Sequence, residues 1–170
     1  MIILPESSGS IGVGQWLARW LAAGLGSGWL PKMPGTWGSL ASLPVAWLLI
    51  DGVGVSGLLV ASLLLLLLGC AVCAIVLPTL AVDDPGWIVI DEWVGQWLAL
   101  ALIIMVYGVS VLNMALAFAA FRLFDVLKPF PIRQIEHLGP AWWSIMADDV
   151  MAGLMGGGLV LAILALWGYA

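Results

Sequence analysis

Charged residues are scarce in this sequence, and most of them gather in a few short motifs. Only 9% of the 170 residues are charged, yet the segment FRLFDVLKPFPIR, residues 121–133, holds three cations and an aspartate. Three pairs of adjacent carboxylates stand elsewhere, in VDDP, IDEW and ADDV, and the last two lie within apolar stretches. Carboxylates beside Arg and Lys are groups that bind metal ions and phosphate esters. We therefore expect these motifs to carry the chemistry of the protein.

Five carboxylates of these motifs interrupt apolar stretches with helical periodicity. They lie about one or two turns inside predicted helices and are Asp91, Glu92, Asp125, Asp148 and Asp149. An ionised group in hydrocarbon is costly unless it is paired, hydrated or bound to a metal. If these five converge from three helix ends, their hard oxygen donors favour magnesium, which takes one or two carboxylates and the oxygens of a phosphate. Zinc is disfavoured because there is no cluster of His or Cys.

Cations of the same motif predict a site for phosphate. Arg122 and Asp125 are three residues apart on one helical face, and Lys128 follows one turn later. A pair of prolines then ends the helix and turns the chain, so that Arg133 points back to the same region. Guanidinium and ammonium groups suit a phosphate monoester. The alternative is a set of salt bridges that tie helix ends together.

A second polar segment, GSGWLPKMPGTWGSL, precedes the first long apolar stretch. Its four glycines and two prolines predict a break in helical structure over residues 27–39. Ser27, Thr36, Ser39 and free backbone N–H groups of this loop form a candidate anion pocket at the start of the following helix. The pattern GxxxxGK[ST] of a P-loop is absent. The alternative is a simple re-entrant turn.

The histidine and the cysteines are expected to have no role in this chemistry. His137, the single histidine, lies in a polar connector and is predicted to be an incidental interfacial residue, with a substrate contact as the alternative. Cys70 and Cys73 lie within one apolar helix without a second pair or a nearby His. They are therefore predicted to pack as small buried hydrophobic residues.

Composition places these motifs in a membrane protein. Hydrophobic residues make up 64% of the chain, and the mean hydropathy of +1.16 lies far above that of soluble domains. We predict an all-α, polytopic membrane bundle with no nucleic-acid partner. The net charge of −5 indicates little about partners, because membrane topology follows Lys and Arg. The N-terminus lacks a basic region before an apolar stretch, so no cleaved signal peptide is expected.

About five transmembrane helices are predicted within one membrane domain, residues 1–170. The spans are 40–50, 57–82, 88–107, 111–127 and 145–168, and together they form a bundle over 40–168. The first is short and is expected to gain a turn from TWGS before it. Ahead of the loop at 27–39, residues 11–26 predict a short interfacial or re-entrant helix, with Trp16 and Trp20 one turn apart beside Arg19.

Alternation of these spans assigns each loop to one face of the membrane. All Lys and Arg after the first helix fall on one face, together with the carboxylates named above, and Asp51 is the one charge left on the other. The positive-inside tendency makes the charged face cytoplasmic. Two further functions fit such a cluster: a small cation-coupled transporter, and an assembly subunit held together by buried ion pairs.

Four motifs resemble those of one family. GSGWLPKMPGTWGSL, IVIDEWVGQW, FRLFDVLKPFPIR and IMADDVMAG occur in an order and at spacings similar to the phosphatidylglycerophosphatase A family of bacterial inner membranes. The resemblance covers residues 26–153. It implies a multi-pass, magnesium-dependent phosphatase, with its active site on the cytoplasmic side, that removes the terminal phosphate of phosphatidylglycerophosphate and leaves phosphatidylglycerol in the bilayer. The family's loop motif falls on Pro34, Gly35, Thr36, Gly38 and Ser39.

The remaining family motifs fall on the charged residues already named. We expect Asp91, Glu92, Asp148 and Asp149 to hold magnesium, and metal-activated water to attack the phosphate. Arg122, Lys128 and Arg133, with Lys32 as a further candidate, are expected to bind the phosphate, and Asp125 to be another ligand or the base. One departure is PAWWS, residues 140–144, where the family tends to carry glycines. The oligomeric state is not predicted.

Overall fold

Helices make up all the regular structure that the computed structural model describes, which covers residues 12–82 and 84–168. The helices are α1 (Val13–Ala22), α2 (Pro34–Val76), α3 (Ile90–Tyr107), α4 (Val111–Leu127), α5 (Ile132–Ile135) and α6 (Ala141–Leu166), with 3₁₀ turns at Ser27–Trp29 and Leu77–Thr79. The all-α prediction is confirmed for these residues. The expectation for the N-terminus, including the start of the first helix at residue 11, lies outside the described residues.

Helix α2 doubles back on itself at Gly54. Gly54 has φ 72° and ψ −177°, a conformation outside the helical region that glycine adopts readily. Ser39 before this break and Gly69 after it both contact the first turn of α3, at Glu92 and Ile90. Thirty residues of continuous helix would separate them by about 45 Å. Residues 34–53 and 55–76 therefore form an antiparallel helical hairpin.

Three helices of the described residues are long and apolar enough to cross a membrane. They are α2 with the turn that follows it, α3 and α6. The hairpin divides α2 into two apolar segments, and α4 adds a further apolar helix of 17 residues. The chain is therefore a helical membrane protein, and the count of five passes stays a prediction.

The centre of the bundle is the contact between α3 and α6. Gly95 on α3 and Gly153 on α6 lie so close that a Cβ atom on Gly153 would collide with the carbonyl of Gly95. On the next turn of α6, Gly156 lies against the backbone of Ala120 on α4. Small residues let helices in a membrane approach at backbone distance. This packing fixes the depth at which the charged motifs of α3, α4 and α6 meet.

The Gly153→Ala variant is expected to destabilise the protein by about 2 kcal/mol, because the added methyl group forces α3 and α6 apart. Thermal or denaturant unfolding in detergent measures the effect. The matched control is Gly158→Ala on the same helix, since nothing lies within 4 Å of a Cβ atom at Gly158. Equal stability of the two variants would contradict the backbone contact.

Two predictions about the N-terminal region need correction. The loop predicted over 27–39 ends early, because α2 already begins at Pro34, a residue whose fixed φ suits the first turn of a helix. Arg19 is predicted beside Trp16 and Trp20 at the membrane interface, but it is buried in the protein and donates to the Thr79 hydroxyl at 3.1 Å. The short helix itself is present as α1.

Candidate active site

A pocket of about 370 Å³ opens at one end of the bundle, where α2, α3 and α6 begin and α4 ends. The structure brings all five predicted carboxylates to this pocket, although they come from three helices. Its charged or titratable lining residues are Asp84, Asp91, Glu92, Asp125, Lys128, Glu136, His137, Asp148 and Asp149. This site pocket is therefore a strongly acidic cavity with one lysine at its wall.

Arg122 joins two of the carboxylates on one side of the site pocket. Its Nη1 lies 2.5 Å from Glu92 Oε2 and 2.6 Å from Asp125 Oδ2. The same Glu92 oxygen accepts a hydrogen bond of 2.8 Å from the Ser39 hydroxyl. These side chains are largely shielded from solvent, with 12 to 17% of their surface exposed for the three charged groups. Arg122 thus fixes the two carboxylates in place, rather than pointing freely toward a substrate.

The start of α2 leaves space for Glu92. A Cβ atom on Gly35 would overlap the Glu92 carboxyl group, so a glycine is needed at the closest approach of the two helices. Gly38 has the same role against Val89, one turn further along α2. Gly35 and Gly38, predicted to break helical structure here, instead lie within α2 and bring it against α3.

Lys128 connects the remaining sides of the site pocket. It follows the last residue of α4 with a left-handed backbone (φ 43°), and its Nζ lies 2.7 Å from Asp148 Oδ2 and 3.0 Å from Glu136 Oε1. Burial lowers the pKa of the Lys128 ammonium, but the hydrogen bonds and charges of these two carboxylates outweigh it and raise the pKa above its ordinary value. Lys128 is therefore a cation.

Asp91 and Asp149 are buried carboxylates of the site pocket that have no cation beside them among the described residues. Asp91 is 9% exposed and Asp149 3%, and neither forms an ion pair with any described Lys or Arg. Asp91 Oδ1 accepts a hydrogen bond of 2.9 Å from the backbone N–H of Glu92, the next residue of the same helix. Buried carboxylates of this kind need a positive partner. A divalent cation that prefers oxygen donors fits this requirement and this donor set.

The arrangement of the carboxylates is not that of a closed metal cage. Within residues 12–82 and 84–168, no group of three or more His, Cys, Asp or Glu side chains is placed so that it could hold a metal ion. Asp148 and Glu92 instead face Lys128 and Arg122. An ion at this position would therefore draw on Asp91 and Asp149 first, with the other two carboxylates beside them.

Five of the six residues predicted to bind substrate lie outside the lining of the site pocket. Ser39 and Arg122 contact Glu92, which lines the pocket. The other three are Arg133, Thr36 and Lys32. Arg133, on α5, is exposed to solvent. Thr36 is half-buried in the first turn of α2. Lys32 lines a second, smaller pocket of about 290 Å³. The prolines after α4 do turn the chain sharply, but they bring Glu136 back to the site pocket instead of Arg133.

Asp84, Glu136, His137 and Ser144 line the site pocket but were not among the predicted site residues. Burial raises the pKa of the Asp84 carboxyl, and the charge of Lys128 opposes this effect. Glu136 lies eight residues after Lys128, across a proline turn, and this spacing carries no helical signal. His137, predicted to be an incidental interfacial residue with a substrate contact as the alternative, lines the site pocket. Only its position beside Glu136 could have indicated this.

Comparison with known proteins identifies relatives over most of the chain. A family model described as phosphatidylglycerophosphatase A matches residues 20–164. A phosphatidylglycerophosphatase A from Haemophilus influenzae is 42% identical over 143 residues, 84% of this chain and 86% of the relative. A protein of the same name from Escherichia coli is 34% identical over 144 residues, 84% of this chain and 81% of the relative. No solved structure matches the chain significantly.

Proposed function

The chain belongs to the phosphatidylglycerophosphatase A family, and from this premise we propose that it hydrolyses the terminal phosphate monoester of phosphatidylglycerophosphate. The products are phosphatidylglycerol and inorganic phosphate. The observation that carries the proposal is the site pocket, in which seven acidic side chains and Lys128 meet at one end of a membrane bundle. A charged headgroup at the membrane surface reaches such a pocket while its acyl chains stay in the bilayer.

Magnesium is the proposed cofactor. Its proposed ligands are Asp91 and Asp149, which lack a cation among the described residues. Glu92 and Asp148, also predicted as ligands, lie beside them but are paired with Arg122 and Lys128. When bound, magnesium supplies positive charge for the phosphoryl oxygens and lowers the pKa of a bound water. Seven carboxylates without such an ion would repel a phosphate dianion, so the donor set itself supports the cofactor.

Lys128 is the proposed phosphate-binding cation. Its ammonium lies at the wall of the site pocket, and its third N–H group is available beyond the contacts with Asp148 and Glu136. An N–H donor at this place meets an oxygen of the monoester or the oxygen of the leaving glycerol. In the reaction, the oxygen of water bonds to phosphorus and the water gives up a proton, the bond from phosphorus to the glycerol oxygen breaks, and the glycerol oxygen takes up one proton.

Arg122 and Asp125 are proposed to act together: Arg122 positions Asp125, and Asp125 is the base for the attacking water. Arg122 is held by two carboxylates, so it orients Glu92 and Asp125 and does not act as a free phosphate clamp. Asp125 lines the site pocket and keeps a carboxylate oxygen for the attacking water. This assignment retains Asp125 as the base and makes Arg122 a positioning residue.

The proposed location is the bacterial inner membrane, with the site pocket on the cytoplasmic face. The cations after α1 that the structure describes lie at the end of the bundle that carries the pocket, and such a bias marks the cytoplasmic side. The opposite end has an apolar pocket lined by residues such as Leu116, Val160 and Leu164, without a charged side chain. This asymmetry favours an enzyme over a transporter, which needs polar groups toward both faces.

The test is hydrolysis of phosphatidylglycerophosphate by the purified protein in detergent micelles. We expect release of one phosphate per lipid and a product with the mass of phosphatidylglycerol. Heat-inactivated protein and a micelle-only sample are the controls. A folded protein that releases no phosphate from this lipid would overturn the proposed function and favour transport or assembly.

A further inference from the structure

A second pocket lies beside the site pocket and contains one cation. It has a volume of about 290 Å³, and its lining includes Trp29, Lys32, Pro34 and Trp87. Lys32 is exposed and forms no ion pair with any acidic residue that the structure describes. In contrast, Arg122 and Lys128 of the site pocket are each held by two carboxylates. The second pocket is therefore suited to an anion.

Two chain segments separate the second pocket from the site pocket. In the connector before α3, Gly86 and Ile88 line the site pocket while Trp87 between them lines the second pocket. At the start of α2, Pro34 lines the second pocket while the next residue, Gly35, lies against a carboxylate of the site pocket. The two pockets are therefore adjacent, because consecutive residues of the same segment line one or the other.

Local structure favours negative charge in the second pocket. The backbone is left-handed at Lys32 and Met33, with φ 60° and 53°, and this turn leads directly into α2 at Pro34. The positive end of the α2 dipole therefore lies two residues along the chain from Lys32, at the same pocket. Trp29 and Trp87 supply amphipathic rings, which are common where a protein meets the interface of a membrane.

We propose that the second pocket binds the phosphodiester of the lipid substrate while the site pocket holds the phosphomonoester. The proposal rests on the proposed function, because phosphatidylglycerophosphate carries both groups, joined by one glycerol. Lys32 is then a specificity residue: it selects lipids with a phosphodiester over phosphatidic acid, which has a monoester alone. The acyl chains of the substrate leave the second pocket past its tryptophans.

The first test compares Lys32→Gln with the wild type and with Lys32→Arg. For Lys32→Gln we expect the KM for phosphatidylglycerophosphate to rise about fivefold, as for the loss of one exposed ion pair, with little change in kcat. Lys32→Arg should restore most of the affinity. Phosphatidic acid with the same acyl chains, used as a competing inhibitor, should bind the wild type and Lys32→Gln within about twofold of each other.

Phosphatidic acid separates the proposal from its alternatives. Equal weakening of both lipids by Lys32→Gln would mean that Lys32 contacts the monoester or acts as general surface charge, and would overturn the proposal. An unchanged KM for phosphatidylglycerophosphate would overturn it as well.

A binding measurement keeps the test independent of turnover. Short-chain phosphatidylglycerol has the phosphodiester and no monoester, and calorimetry should show weaker binding to Lys32→Gln than to the wild type. If this difference appears in a protein that hydrolyses no phosphatidylglycerophosphate, the second pocket stands and the proposed function fails. If binding is the same for both proteins, the second pocket is not a phosphodiester site.

Discussion

The Asp149→Asn variant is expected to lose phosphatase activity by a factor on the order of 10³, since it removes a charged ligand from the proposed magnesium site. In contrast to the activity, the stability of the variant is not expected to fall. Asp149 is 3% exposed and has no cation partner among the described residues, so without metal its charge opposes folding. The neutral amide has almost the same shape. In metal-free buffer, the variant should unfold at the same temperature as the wild type or above it.

Asp51→Asn is the matched control for this prediction. It makes the same chemical change at an exposed position near the Gly54 turn, at the opposite end of the bundle. Its rate of phosphate release should equal that of the wild type. An Asp149→Asn protein that retains wild-type turnover would contradict the place of Asp149 in the site, whatever its stability.

The Arg122→Met variant is expected to lose both stability and activity. Arg122 is the only described cation in contact with Glu92 and Asp125, and its loss leaves two shielded carboxylates without a partner. Breaking a buried ion pair from one side costs about 3–5 kcal/mol. Unfolding in detergent measures this cost, and phosphate release should fall by at least about 100-fold because the two carboxylates lose their positions.

Two further variants test whether the effect of Arg122→Met comes from its two ion pairs. Arg133→Gln removes an exposed arginine of the same region, and it should change the free energy of unfolding by less than about 0.5 kcal/mol. Combining Arg122→Met with Glu92→Gln should recover some of the lost stability, because an unpaired charge is removed. If Arg122→Met alone were as stable as Arg133→Gln, the role of Arg122 in holding the two carboxylates would be wrong.

The convergence of the carboxylates could be predicted from the sequence because membrane helices impose strict limits. A charge inside an apolar helix must face the protein or water, and alternating spans place Asp91, Asp125 and Asp149 at the same end. The hairpin turn was also predictable, since Asp51 and three glycines interrupt an otherwise continuous apolar segment. The four motifs then indicated the family, which the comparisons confirm.

The partners of the cations could not be predicted. Arg122 and Lys128 each have several carboxylates within reach, and the choice among them depends on helix rotation and on the path of the connector at 129–140. Glu136 reaches Lys128 only because the chain turns after α4. Arg122 was predicted to bind phosphate because a guanidinium group suits a phosphate monoester. The structure instead places Arg122 between two carboxylates.

The segment PAWWS, residues 140–144, differs from the glycines that the family tends to carry, and the sequence did not indicate which structure it forms. Pro140 is the residue before α6, and the helix begins at Ala141, so the connector ends sooner than expected. Trp142 and Trp143 pack edge to face at 6.5 Å and remain partly exposed. Pro is tolerated at the start of a helix, so Pro140 is compatible with the start of α6, and the paired aspartates of α6 line the site pocket.

Removal of magnesium shows whether the site pocket needs a metal ion for hydrolysis. Purified protein is treated with a chelator, passed into metal-free buffer and assayed on phosphatidylglycerophosphate micelles before and after magnesium is returned. We expect phosphate release by the wild type to stop without metal and to return with magnesium, while Asp149→Asn stays inactive in both states. Full turnover by a metal-free protein would contradict the account, because seven carboxylates and one lysine would then have to bind a phosphate dianion without a metal ion.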